Sequence, residues 1–171
     1  SYGLGFYISS LYWISISFKI ANMGGYFIGS LAVLILCAFL SLFSALNYYL
    51  IKRLSLKDHI LFNSIMILIS FSIFDWLKGN ILWGFPWTPI SAIWSSNSIT
   101  LAPFSYIGVW GYSLVTYSLV VGIYLLHKNI KLSMYFVLPF ILILSLSNFI
   151  PKKIISVVEN FHIRLVQPNI K

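Results

Sequence analysis

The sequence predicts an all-α polytopic membrane protein, a bundle of about five transmembrane helices, and three observations carry that expectation. Of 171 residues, 60% are hydrophobic and only 8% charged, whereas soluble domains carry about 25% charged residues. Residues 1–18, 20–51, 60–74, 79–126 and 132–151 contain no Asp, Glu, Lys, Arg or His, and about 20 apolar residues cross a bilayer core as a helix. The net charge of +8 comes from basic residues scattered at the ends of the apolar runs. They form no stripe on a polar helix face, so membrane topology explains them and nucleic-acid binding does not.

The first span is expected over about 2–20, "YGLGFYISSLYWISISFKI", and the short glycine-bearing "ANMGG" joins it to a second over about 27–50 that ends at Lys52 and Arg53. A third is expected over about 60–77, a fourth over about 105–126 and a fifth over about 132–150, ending at Pro151. Each must be helical, because lipid offers no water to satisfy an open backbone. Gly25 and Gly29, Ser41 and Ala45, and Ser118 and Gly122 have the small-x-x-x-small spacing that lets helices approach closely within a bundle. The chain opens at Ser1 with no basic leader or cleavage site and stops where its composition turns polar, so both ends read as cut from a longer protein.

Lys52, Arg53 and Lys57 follow the second span, and Lys128 and Lys131 follow the fourth. Those loops are therefore expected to be cytoplasmic. The 79–104 connection and the segment after Pro151 then face outward, with Lys152 and Lys153 running against the bias. The connection holds Pro86, Pro89 and Pro103 and carries no charge. Its Trp83, Trp87 and Trp94 suit a headgroup zone, where an indole has one apolar side and one hydrogen-bonding edge. Just before it, Asp75 and Lys78 are three residues apart and share a helix face. An opposite partner lowers the cost of each charge there, so they are expected to form an ion pair at the membrane boundary.

Other polar residues offer less. Cys37 lies mid-span without a charged neighbour and is expected to be structural. His59 and His127 fall in inward loops, and no His pair, His162 included, has metal-ligand spacing. Asn47, Asn63 and Asn148 suit hydrogen bonding between helices, and Glu159 falls in a short outward linker. No cofactor, metal or catalytic residue is assigned. Neither repeated halves nor ionisable residues along a midplane path are present to support a transporter.

The stretch "DWLKGNILWGFPW" resembles the membrane domain of the apolipoprotein N-acyltransferase family, in which an acid, Leu, a base and Gly precede a Gly-Phe-Pro-Trp turn. Here these are Asp75, Leu77, Lys78, Gly79, Gly84, Phe85, Pro86 and Trp87. "GLGFYISSLYWISIS" and "LAPFSYIGVWGYSLV" are similar to flanking segments of that family, and "FHIRLVQPNIK" to the first strand of its nitrilase-like domain. The family usually has Glu and Arg where Asp75 and Lys78 stand, and "TPISAIWSSN" departs from its Gly-Tyr-Ser type segment.

The resemblance implies a C-terminal stub of an α/β nitrilase-like domain over 152–171. It also implies transfer of an acyl chain from a phospholipid to the N-terminal diacylglyceryl-cysteine of an apolipoprotein, at the bacterial cell inner membrane, with a periplasmic C-terminal end. The family's Cys, Glu and Lys of acyl transfer have no match in the chain, which alone is expected to be inactive. Trp83, Phe85, Pro86, Trp87 and Trp94 are then expected to floor a cleft for lipid acyl chains. The alternative is a non-enzymatic lipid-binding or scaffolding membrane module that partners a separately encoded nitrilase-like chain.

Overall fold

The structure, a computed structural model, describes residues 2–81 and 84–149, with side chains to Ser147. It is helical throughout: α1 (Tyr2–Leu11), α2 (Ile14–Ile20), α3 (Gly25–Leu54), α4 (Ile60–Asn80), a 3₁₀ helix (Ile90–Trp94), α5 (Ser98–Leu101), α6 (Phe104–Leu125) and α7 (Ile130–Phe149). Four of these, α3, α4, α6 and α7, are long and apolar enough to cross a membrane. Among the described residues there is no strand. The strand expected over 152–171 lies outside them.

The continuous first span expected over about 2–20 is corrected to two short helices, which leaves four membrane-length helices instead of five. The break falls at Tyr12 and Trp13, where the amides of Ser15 and Ile16 donate three residues back, to Tyr12 and Trp13. Side chains compete for the local carbonyls: the Ser9 and Ser10 hydroxyls donate to Phe6 O, and Trp13 Nε1 donates to Ser10 O. Back-bonding of this kind bends a helix, and apolar periodicity does not report it. The bent pair runs antiparallel beside α3. Gly3 lies against Ser41 and Ser44, and Gly29 against Ser15 and Phe18.

Small residues set these approaches. A Cβ on Gly29 would come within 2.7 Å of Ser15 O, and one on Gly122 within 2.5 Å of Val137 and 3.2 Å of Ser133 O. Between α6 and α7, Ser118 Oγ donates to Phe136 O at 2.6 Å and Ser133 Oγ to Gly122 O at 2.7 Å. Bonds of this kind average about 0.6 kcal/mol each in a membrane. Asn47 on α3 accepts from Ser70 on α4, and Asn63 closes the α3–α4 loop through both backbone groups of Leu56. Apolar packing completes the bundle. Tyr7 and Leu11 meet Val33, Cys37 and Leu40, while Tyr112, Val115 and Phe140 join α6 to α7.

The segment between α4 and α6 folds back into the bundle where a lipid-facing loop was expected. Ser91 is fully buried; its hydroxyl donates to Val109 O at 3.1 Å and accepts from Ser113 Oγ at 3.0 Å. Beside it α6 is broken at Gly108, whose φ of 66° and ψ of −179° only glycine adopts readily. Ile93 and Ile99 keep an exposed face.

Replacing Gly29 with Ala should lower the stability of the detergent-solubilised chain by about 1–3 kcal/mol through overpacking. Gly5→Ala, where a Cβ meets nothing within 4 Å, should be neutral or slightly stabilising because Ala is the better helix former. Equal thermal midpoints for the two variants would contradict the close α2–α3 approach.

Candidate functional site

Asp75 and Lys78 lie on one face of the last two turns of α4. Lys78 Nζ sits 2.8 Å from Asp75 Oδ1, with side-chain exposures of 4% for Lys78 and 6% for Asp75. The other carboxylate oxygen takes a long bond from the Ile90 amide at 3.4 Å. Tyr117, on α6, lines the same cavity as the pair and packs on Phe71 with ring centres 5.5 Å apart, and Lys78 Nζ lies 5.7 Å from the centre of the Tyr7 ring on α1. Three distant parts of the chain therefore close over a pair that the sequence alone would leave at the membrane boundary. Either charge alone would cost several kcal/mol at such a site, so neither residue is tolerable there without the other.

The glycines of the motif have geometric reasons. A Cβ on Gly79 would lie 2.3 Å from the Trp110 ring, so glycine lets the indole rest against α4. Gly84 has a φ of +69° and stands where a Cβ would meet Gly79 O at 2.2 Å. That conformation ends α4 in a tight turn, with the Phe85 amide donating to Lys78 O at 2.9 Å. Beyond it Thr88, a β-branched residue between Pro86 and Pro89, has a φ of 60°. Strain of about 1–3 kcal/mol at such a residue persists only where surrounding structure imposes it.

The pair forms part of the wall of a cavity of about 780 Å³, within the range of small-molecule sites. Ile67, Leu68, Phe71 and Phe74 of α4 form one wall. Tyr2, Phe6 and Tyr7 of α1, Phe43 and Asn47 of α3, Tyr117 and Val120 of α6, and Thr88 to Ile90 with Ala92 and Ile93 form the others. A second groove of about 460 Å³, apolar except for Ser70, lies between α3 and α4, from Leu54 and Phe62 up to Phe74. Phe74 borders both spaces, and the Asn47–Ser70 bond holds the two helices together beside it.

The aromatic residues expected to floor a cleft are placed differently. Phe85 packs on the α1–α3 apolar cluster, Pro86 is exposed, and Trp87 stacks on Trp13 with ring centres 5.2 Å apart. Trp94 packs against Phe140 at 4.8 Å and donates its Nε1 to Thr116 Oγ1 at 3.0 Å. None of these four lines the cavity; the neighbouring Thr88 to Ile90 does. Trp83 lies outside the described residues. Sequence reasoning missed Tyr7, Tyr117 and Phe74, which look like ordinary span residues until tertiary contact joins them. Cys37 is buried in the α1–α3 cluster, and His59 and His127 are exposed.

Residues 1–123 match the family described as "Apolipoprotein N-acyltransferase N-terminal domain". Among curated proteins, the apolipoprotein N-acyltransferase of Rhodopseudomonas palustris is 30% identical over 115 residues, 67% of this chain and 21% of that protein. That of Rickettsia prowazekii is 27% identical over 118 residues, 67% of this chain and 22% of the relative. The Bradyrhizobium diazoefficiens protein of the same name is 34% identical over 85 residues, covering 50% of this chain and 16% of that relative. The chain thus spans about a fifth of the length of the relatives it matches most extensively. No solved structure matches it.

Because breaking a buried pair strands one charge, Asp75→Leu and Lys78→Met should each cost about 3–5 kcal/mol. The double variant should recover most of that loss. Thermal unfolding of all four proteins in one detergent gives the coupling; simple additivity would show that the two charges do not depend on each other.

Proposed function

We propose, from the premise that the chain belongs to the apolipoprotein N-acyltransferase family, that its bundle holds the acyl chain of a phospholipid donor for transfer to an apolipoprotein N-terminus. The cavity of about 780 Å³ beside the buried pair carries this assignment. Its walls are mostly hydrocarbon and aromatic, with the Asp75–Lys78 pair and a few further polar side chains, Asn47 among them, set into the lining. Such walls suit a long apolar tail, and the few polar groups fix its orientation. The pair holds the turn that follows α4, and through it the Thr88 to Ile93 wall, against the bundle.

Entry is sideways from the bilayer, between α3 and α4, where the outer groove and the cavity are separated by Phe74. The four long helices alternate in direction, so the α3–α4 and α6–α7 loops share a side. That side carries Lys52, Arg53, Lys57, Lys128 and Lys131 and is cytoplasmic by the positive-inside rule. The end of α4 that bears Asp75 and Lys78 then faces the periplasm of an inner-membrane protein. In this assignment the acyl-transfer groups belong to the nitrilase-like domain that the resemblance implies. There an activated thiolate attacks the phospholipid ester, forming a thioester and releasing the lysophospholipid, and the diacylglyceryl-cysteine amine then attacks the thioester, forming an amide and returning the thiol. The bundle supplies binding and orientation.

A phospholipid with a diazirine near the end of one acyl chain should, on illumination of the chain in lipid nanodiscs, label peptides containing Phe71, Phe74 or Tyr117. Phe74→Trp should reduce that labelling severalfold by narrowing the seam. Labelling confined to bilayer-facing residues such as Leu31 and Ile35 would overturn the assignment.

A further inference from the structure

We infer that Lys78 is a binding residue that donates a hydrogen bond to the carbonyl of an uncharged acyl ester in the cavity, so that the site selects esters over free fatty carboxylates. This rests on the acyl-chain assignment above and goes beyond it by naming the polar group recognised and the residue that recognises it.

The two members of the ion pair are unequally satisfied. Asp75 receives the Lys78 ammonium on one oxygen and the Ile90 amide on the other, which occupies both carboxylate oxygens. An ammonium has three donors and no acceptor. Among the described residues, Lys78 Nζ makes one polar contact, to Asp75, and one ring contact, with Tyr7. Lys78 and Tyr7 both line the cavity, so the unused donor capacity lies at its wall. A buried donor without an acceptor is costly, and a bond that fills it is correspondingly favourable.

Charge decides the type of acceptor. The Asp75–Lys78 pair is neutral as a unit, so an entering carboxylate would add an uncompensated charge to a low-dielectric site. A carbonyl dipole satisfies the ammonium and adds none. From Lys78 the cavity-lining residues of α4 continue through Phe74 and Phe71 to Ile67, positions that recur on one helix face. At 1.5 Å per residue this stripe is about 16 Å long, so a chain anchored by its carbonyl at Lys78 runs along apolar side chains for most of its length.

The test uses the full chain in nanodiscs of ether-linked lipid, which lack ester carbonyls. The probe is a monoacylglycerol ester with a diazirine at its tail, and the readout is labelling of cavity peptides. The competitors are 1-palmitoyl-glycerol, the ether 1-hexadecyl-glycerol, and palmitate. The ester should compete at least about tenfold better than the ether, from the strength of a hydrogen bond to a charged group, and better than palmitate. This preference should survive Lys78→Arg and vanish in the Asp75→Leu/Lys78→Met double variant. Equal competition by ester and ether in the unaltered chain, with the cavity still labelled, would overturn the inference and leave the acyl-chain assignment standing. Palmitate competing as well as the ester would overturn the selectivity, and absence of cavity labelling would overturn the underlying assignment.

Discussion

A charge pair in an apolar bundle must be closed off by the rest of the chain, and the structure around α4 follows from that requirement. Asp75 and Lys78 neutralise each other at 2.8 Å, but a carboxylate has more acceptor sites than one ammonium fills. The Ile90 amide from the returning segment supplies a second donor, and Tyr117 from α6 lines the cavity together with the pair. Satisfying one side chain therefore draws the 84–94 segment back to the end of the helix. Space too wide for the side chains to fill remains below them, between α1, α3, α4 and α6, and becomes the cavity.

Close packing elsewhere makes this arrangement rigid. In lipid there is little hydrophobic force between helices, so contact depends on small residues and interhelical hydrogen bonds. Gly29, Gly3 and Gly122 supply the first. Ser118, Ser133 and the Asn47–Ser70 pair supply the second. Gly79 and Gly84 extend the same device to the motif: one admits Trp110, the other turns the chain back beneath Lys78 O. The α3–α4 contact beside Phe74 rests on that Asn47–Ser70 bond, which is consistent with its proposed use as the place of entry.

Much of this was legible in the sequence for a physical reason. Lipid forces helices and penalises charge, so charge-free runs mark α3, α4, α6 and α7 directly. The spacing of Asp75 and Lys78 gave their common face, and the small-x-x-x-small pairs at Gly29, Ser41 and Gly122 gave close approaches. The break at Tyr12 and Trp13 was hidden because serine back-bonding and an indole hydrogen bond leave the apolar pattern unchanged. The packing of Trp94 and the returning segment was not legible, for a different reason. Aromatic, uncharged residues are equally at home at a lipid surface and between helices, and only the Thr116 acceptor and the Phe140 ring decide between them. The cavity itself was invisible, since it joins Tyr7, Asn47, Phe74 and Tyr117 from four helices.

The central claim is that Asp75 and Lys78 remain ionised inside the bundle, and infrared difference spectroscopy tests it directly. The chain has only three Asp and Glu residues, so Asp75→Asn removes a third of its side-chain carboxyl signal. The account expects the difference spectrum to show loss of an ionised carboxylate band. Loss of a protonated carboxyl band instead would mean that Asp75 is uncharged and forms no ion pair, and would contradict the account.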